Sequence, residues 1–291
     1  MWIIMALLSA FFAGITSILA KIGMNHIDSD VATTLRCVII LFFSWGIVFI
    51  TGAISELFQI STSSLLYLIL SGISTGISWL CYFHALALGD VNKIIAIDKS
   101  SIILTTITAI ILFNENNFLS VKIICILLIF IGLMLMTIKD KVAQKLNKIA
   151  SSKSYIYAIL SAVFATLTAI FGKYGIDDID SNLGTAIRVC VILIISYLMV
   201  LIKKKSIHIA KIPPKDLFFI ILSAITTGLS WLCYYYALQN GIVSIIVAID
   251  KMSIVVAVVF SYLIFKEKLN LKSFCGLILL IIGTLIMTLY H

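Results

Sequence analysis

Charged residues and prolines are scarce in this sequence. Only 12% of its 291 residues are charged and 2 are prolines, whereas 62% are hydrophobic. Soluble domains carry about twice that charged fraction, and no polar stretch in this chain is long enough to form one. The shortage of charge therefore excludes an ordinary soluble protein, and we expect lipid to solvate almost the whole chain.

The common signatures of catalytic and metal sites are also missing. The sequence contains no HExxH motif, no phosphate-binding loop and no evident Ser-His-Asp set. Its 6 cysteines lie in apolar runs without CxxC or zinc-like spacing, so we interpret them as small buried hydrophobes. We accordingly predict that the protein is not an enzyme and holds no metal or other cofactor.

Long apolar segments fill the chain. A bilayer core of about 30 Å is crossed by roughly 20 helical residues, and segments of that length are too long for barrel strands. We therefore predict an all-α polytopic membrane protein with ten transmembrane helices. The predicted spans are 3–22, 31–52, 65–88, 92–113, 120–138, 155–174, 183–202, 216–239, 242–265 and 271–290.

One stretch of the chain occurs twice. Residues 78–101 and 230–253 are identical at about 15 of 24 positions without a gap, at an offset of 152, which indicates an internal duplication. Because each copy has five spans, the second copy enters the membrane from the opposite side. The copies are therefore inverted repeats, related by a pseudo-two-fold axis in the membrane plane. The predicted domains are a first repeat at 1–138, a basic cytoplasmic linker at 139–154 and a second repeat at 155–291.

The basic residues predict the orientation of the chain. Six of the 21 form matched pairs between the copies, and 13 of the other 15 lie in the loops 139–153, 203–215 and 266–272, all on one side. Basic loops of membrane proteins face the cytoplasm, so we predict a plasma-membrane protein with both termini outside. The same placement explains the net charge of +8 without a nucleic-acid partner.

Charged residues inside the spans are the candidate functional residues. A charge at membrane depth costs a few kcal/mol on insertion scales and normally faces an aqueous cavity or a partner. The topology gathers two equivalent clusters, one at each mouth of a central cavity, as alternating access requires. The first cluster comprises Lys21, Arg36, His84, Asp98 and Lys99, and the second comprises Lys173, Arg188, Tyr236, Asp250 and Lys251.

The two Asp-Lys dipeptides are the most unusual members of these clusters. Neighbouring residues on a helix point about 100° apart, so Asp98 and Lys99 are not expected to neutralise each other. The dipeptides are either gates or static ion pairs that fix helix packing. For Lys99 and Lys251, snorkelling of the side chain toward the headgroups is a further alternative. The expected partners across helices are Arg36 or Lys21 for Asp98, and Arg188 or Lys173 for Asp250.

Aromatic residues at i, i+3 spacing on the third and eighth spans are candidate cavity-lining residues, with core packing or an interfacial belt as the alternative. His84 has no matched histidine and is either structural or part of a proton relay. Glu115 and Glu267 follow the fourth and ninth spans, and we expect them to be solvated loop acids. The aromatic candidates are Trp79, Tyr82, Trp231 and Tyr234.

At these residues the chain resembles the EamA-like branch of the drug/metabolite transporter superfamily, as two fused half-length repeats. The resemblance implies a basket of ten helices in which the fifth and tenth spans brace a central cavity from outside. Many EamA-like repeats have a proline near the start of the fourth span, where this chain has its Asp-Lys dipeptides. Relatives are also commonly drawn with both termini inside, in contrast to the lysine count. The motifs are Ser78–Tyr82, Ile97–Ser100, Leu112–Glu115 and Leu263–Leu269.

These features predict a secondary transporter that moves a small polar metabolite by alternating access. Excess positive charge in the clusters favours an anionic or zwitterionic, amino-acid-like cargo, and a proton is the candidate coupling ion. A monomer suffices, because one chain supplies both orientations. The alternatives are a flippase for a polar-headed lipid or lipid-linked sugar, and a non-transporting membrane scaffold or sensor.

Overall fold

The computed structural model describes residues 1–24, 26–88, 91–137, 152–204, 212–266 and 270–290. Within these ranges the chain forms α-helices, one short 3₁₀ helix at Ala53–Phe58 and no strand. The α-helices are α1 (Trp2–Gly23), α2 (Ser29–Thr51), α3 (Thr62–Leu88), α4 (Val91–Lys99), α5 (Ser101–Leu112), α6 (Leu119–Thr137), α7 (Ser152–Gly175), α8 (Ser181–Ile202), α9 (Pro214–Asn240), α10 (Val243–Asp250), α11 (Ser253–Phe265) and α12 (Leu271–Leu289).

The helices confirm the prediction of an all-α membrane protein. In the described part of the chain, 9 helices are long and apolar enough to cross a membrane. They match the predicted spans except the fourth, which consists of α4 and α5 separated at Ser100. The ninth span is likewise interrupted, because α10 ends at Asp250 and α11 begins at Ser253. The predicted linker lies outside the described residues up to position 151, and α7 already begins at Ser152.

Matching local signals begin the second span of each repeat. The Asp28 side chain accepts a hydrogen bond from the backbone N–H of Asp30 at the start of α2. Asp180 accepts from the N–H groups of Asn182 and Leu183 at the start of α8. Each carboxylate supplies an acceptor for N–H groups that the first helical turn leaves without a partner.

The helix interfaces repeat with the duplication. The most extensive ones join α3 to α7 and α1 to α9. At the offset of 152, α1 corresponds to α7 and α3 to α9, so these two interfaces are equivalent. The other large interfaces, α2 with α8 and α6 with α12, each join a helix to its own copy. This is the contact pattern of a two-fold pseudosymmetry, and the odd number of spans per repeat makes it an inverted one.

Small residues bring α6 and α12 together. A Cβ atom added at Gly132 would lie 2.6 Å from the carbonyl oxygen of Gly276, and one added at Gly276 would lie 2.5 Å from the carbonyl oxygen of Gly132. The two backbones therefore touch, as glycines allow in membrane helices. These helices are the fifth and tenth spans, which the family resemblance places outside the cavity.

The two ends of the bundle are packed differently. Every residue of α10 from Val243 to Ile249 is buried, and α10 contacts α5. In contrast, no residue of α11 is buried, although α11 continues the same span toward the other end. The bundle is therefore closed around α10 and looser around α11.

Candidate functional site

Two chambers share a pair of tryptophans as a common wall. Trp79 of α3 and Trp231 of α9 line both chambers and occupy equivalent positions in the repeats. The larger, of about 520 Å³, is called here the Arg36 chamber. The smaller, of about 280 Å³, is the Arg188 chamber. Their linings contain equivalent residues: Arg36 and Arg188, Tyr82 and Tyr234, Phe83 and Tyr235, and Thr227 and Thr75.

Arg188 is held on several sides. Its Nε donates to Ser71 Oγ at 2.8 Å and its Nη2 donates to Thr75 Oγ1 at 3.3 Å, both on α3. The guanidinium carbon lies 4.2 Å from the centroid of the Tyr235 ring, within cation–π range. Ser71 in turn donates to the carbonyl oxygen of Thr168 at 2.7 Å. Arg188 therefore links α8 to α3, and through Ser71 to α7.

Arg36 makes only one of the two hydrogen bonds that Arg188 makes. Its Nη2 donates to Thr227 Oγ1 at 2.6 Å, the counterpart of the bond to Thr75. Its buried Nε has no hydrogen-bond partner among the described residues. Ser223, which corresponds to Ser71, donates instead to the Ile220 carbonyl oxygen of its own helix at 2.8 Å. The two arginines are thus equivalent in sequence and unequal in their bonding.

The partners expected for the two aspartates were wrong. Asp98 accepts a hydrogen bond from Ser161 Oγ of α7 at 2.7 Å. Asp250 pairs with its neighbour Lys251, with 3.2 Å between Oδ2 and Nζ. These adjacent residues can pair because α10 ends at Asp250. The chain turns tightly, with the Met252 N–H donating to the Ile249 carbonyl at 2.8 Å, and the long lysine side chain reaches back to the carboxylate.

The two dipeptides also do not lie at opposite mouths. Lys99 interacts electrostatically with Asp98, Asp250 and Lys251, so charges of both repeats meet. The physical reason is the helix breaks: α4 has 9 residues and α10 has 8, and each break lies well inside its span. The two arginines do occupy separate chambers, and Asp250 lines the Arg188 chamber.

Four other predicted residues make contacts outside the two chambers. His84 stacks edge-on against Tyr157, with 4.5 Å between ring centroids. Lys21 lies 4.4 Å from the centroid of the Phe265 ring, and Lys173 donates to the Gln239 carbonyl oxygen at 2.9 Å. His84, Tyr236, Lys21 and Lys173 are absent from the described linings of both chambers.

Glu115 is not the solvated loop acid that the sequence suggested. Its carboxylate accepts from the N–H groups of Val243 at 2.7 Å and Ser244 at 3.0 Å, the first residues of α10. The side chain is 9% exposed, and the buried Lys122 donates to the Glu115 carbonyl oxygen at 2.8 Å. In an apolar setting the first N–H groups of a helix need an acceptor, which this carboxylate supplies. Its counterpart Glu267 lies outside the described residues.

Sequence reasoning missed the hydroxyl groups that hold the arginines. Ser71 and Thr75 are one helical turn apart on α3, and the offset of 152 repeats them as Ser223 and Thr227. This repeated pair was the signal that would have identified the arginine partners.

The family model of EamA-like transporters matches residues 1–138 and 152–289. The chain belongs to the EamA-like transporter family. It is therefore a multi-pass membrane transporter, and the two matched ranges are its two EamA repeats.

Two relatives of this EamA-like protein match about one repeat each. An uncharacterized transporter of Sinorhizobium sp is 43% identical over 115 residues, which cover 40% of this chain and 82% of that protein. An uncharacterized protein of Methanocaldococcus jannaschii is 36% identical over 95 residues, which cover 33% of this chain and 68% of that protein. These shares give each relative a length of about 140 residues, roughly one repeat of this transporter.

A solved structure shares the fold of nearly the whole chain. A crystal structure of another protein superimposes with a TM-score of 0.75 and covers 98% of this chain and 96% of its own. Because the sequence identity is 14%, this likeness shows the fold alone.

Proposed function

We propose that this EamA-like protein is a secondary transporter that moves a small zwitterionic, amino-acid-like metabolite by alternating access. The observation that carries the proposal is the lining of the Arg188 chamber, which contains one arginine and the carboxylate of Asp250. Nη1 of Arg188 has no hydrogen-bond partner among the described residues, so it remains available to a ligand carboxylate. The Asp250 carboxylate would take the ammonium group.

The size of the chamber favours a small cargo. Its volume of about 280 Å³ lies just below the roughly 300–1,000 Å³ of pockets that hold drug-sized ligands. Trp79, Trp231 and Tyr234 supply apolar walls, and hydroxyl groups of Ser9 and Ser230 supply polar ones. A ligand with two opposite charges and a short apolar part would fit this combination.

The unequal packing of the two ends supports alternating access. In the proposed cycle the bundle is closed around α10 and Arg188 and opens around α11 and Arg36. By pseudosymmetry, a second conformation would exchange the roles of the two ends, with the tryptophan pair as the wall between the chambers. The proposed orientation has the Arg36 end toward the cytoplasm and both termini outside the plasma membrane, which the tendency of basic loops to face the cytoplasm supports. One chain would suffice, because it contains both repeats.

Flux measurements in proteoliposomes test the proposal. The purified chain is first screened with zwitterionic amino acids by thermal unfolding, because a ligand stabilises the state that it binds. Transport of the stabilising compounds is then measured with and without a pH gradient, which reports proton coupling. We expect Asp250→Asn and Arg188→Gln to abolish flux, and Asp178→Asn, at an exposed loop acid, to keep it. Unchanged flux in both chamber variants would contradict the proposal.

One observation favours lipid translocation as a second candidate. A groove of about 320 Å³ runs between α1 and α11 and shares Ser17 with the Arg36 chamber. It is lined by Lys21, Ser253 and Ser261 together with apolar residues, as a path for a lipid headgroup would be. A scrambling assay with fluorescent phospholipids tests this candidate, and headgroup movement that depends on Lys21 would favour it over the zwitterion transporter.

A further inference from the structure

The Arg36 chamber contains a positive charge that no described residue balances. The described lining includes Arg36 and no aspartate or glutamate, and no ion pair of Arg36 is found among the described residues. A cation at membrane depth is unfavourable unless a partner or water balances it. The Arg188 chamber differs, because it contains Asp250.

Two hydrogen-bond donors in this chamber are unused. The buried Nε of Arg36 has no partner among the described residues. Tyr82 lines the same chamber, and no hydrogen bond of its hydroxyl group is found among the described residues. The hydroxyl groups of Ser17 and Thr33 are already bonded to carbonyl oxygens, so they leave their acceptor atoms and not their protons to the chamber. The groups without a partner are thus both donors, one on the guanidinium of Arg36 and one on Tyr82.

The other repeat indicates what the free Nε would bind. On Arg188, the equivalent Nε donates to the oxygen of Ser71. In the first cluster, Ser223 corresponds to Ser71, but its hydroxyl group bonds within its own helix. Among the described residues, no serine oxygen therefore accepts from Nε of Arg36, and another acceptor can take that position. An acceptor that also balances the charge is an anion, and charge-assisted bonds of this kind are the stronger ones.

We propose that the Arg36 chamber is an anion-binding subsite that takes a small monoanion on Nε of Arg36, with the Tyr82 hydroxyl as the second donor. It is distinct from the zwitterion site, because it has no carboxylate for an ammonium group. The proposal rests on the proposed function only in placing the subsite on the same path. The anion is either the carboxylate of the cargo or a free inorganic ion, and both present the same acceptor chemistry.

Thermal unfolding of the full chain in detergent tests the subsite with two probes, potassium benzoate and potassium chloride. We expect saturable stabilisation of the unchanged protein by at least one probe. Arg36→Gln is expected to weaken that affinity roughly ten-fold or more, the loss of one charge-assisted hydrogen bond. Lys215→Gln removes an exposed positive charge and should leave the affinity unchanged, which controls for general charge effects.

Two further variants keep the test decisive. Tyr82→Phe removes only a hydroxyl group and should weaken the affinity several-fold even if Arg36→Gln does not fold. Lys204→Gln, at a second exposed position outside the described linings of both chambers, should keep the affinity. Stabilisation by benzoate alone identifies a carboxylate subsite, and stabilisation by chloride identifies a site for free anions.

The outcome separates this inference from the proposed function. The inference is overturned if neither probe stabilises the unchanged protein, or if Arg36→Gln and Tyr82→Phe both bind the probes with unchanged affinity. An equal loss in Lys215→Gln or Lys204→Gln would also overturn it. If the probes bind through Arg36 while no zwitterion binds or crosses the membrane, the subsite stands and the zwitterion transporter fails.

Discussion

The carboxylate of Glu115 accepts the backbone N–H of Val243 at 2.7 Å, across a separation of 128 residues. This contact joins the end of the fourth span to the start of the ninth, at the closed end of the bundle.

Glu115→Ala leaves the first N–H groups of α10 without an acceptor, and loss of a cap destabilises by about 0.5–2 kcal/mol. We expect a lower melting temperature and faster hydrogen exchange at the start of α10. Glu115→Gln keeps one acceptor oxygen, so its melting temperature should fall less. Asp178→Ala, at an exposed loop, should change neither quantity.

Ser71→Ala removes the acceptor of Arg188 Nε and leaves a buried charged donor unpaired. A buried donor without a partner destabilises by roughly 1–3 kcal/mol. Ser223→Ala is the matched control, because Ser223 bonds only within its own helix among the described residues. SDS titrations in mixed micelles should give a clearly lower unfolding free energy for Ser71→Ala than for Ser223→Ala. Equal losses would mean that the two arginines are held alike.

Gly132→Ala places a methyl group against the Gly276 carbonyl oxygen at 2.6 Å, where the neighbour is backbone and cannot move aside cheaply. Overpacking of this kind destabilises by about 1–3 kcal/mol. Gly46→Ala is the control in α2, because an added Cβ there meets nothing within 4 Å. In a helix interior that change is neutral or stabilises by up to about 1 kcal/mol. Melting temperatures that fall for both variants would contradict the close contact of α6 and α12.

Lys251→Gln removes the ammonium group that pairs with Asp250 at 3.2 Å. If Asp250 receives the ammonium of the cargo, Lys251 competes with it inside the protein. We therefore expect tighter binding of a zwitterion in Lys251→Gln and weaker binding in Asp250→Asn, measured by thermal unfolding against ligand concentration. Weaker binding in both variants would mean that Lys251 contacts the ligand directly and does not compete with it for Asp250.

The architecture was readable from the sequence because the evidence for it is local or periodic. Apolar length predicted the spans, and the offset of 152 predicted which helices are equivalent, including the match of Arg36 with Arg188. The meeting of charges from the two dipeptides was not readable, because it depends on how the two repeats pack against each other in three dimensions. The role of Glu115 was not readable either, since its donors belong to a helix that folding brings from far along the chain.

The tyrosine that stacks on Arg188 has a phenylalanine, Phe83, as its counterpart in the first repeat. Two identical subunits of half this length could not differ in this way, because every residue would occur in both orientations. Their two end states would then have equal free energy in a symmetric membrane. Fusion into one chain removes that constraint. Single substitutions in one repeat can then give the two end states of the empty protein unequal free energies.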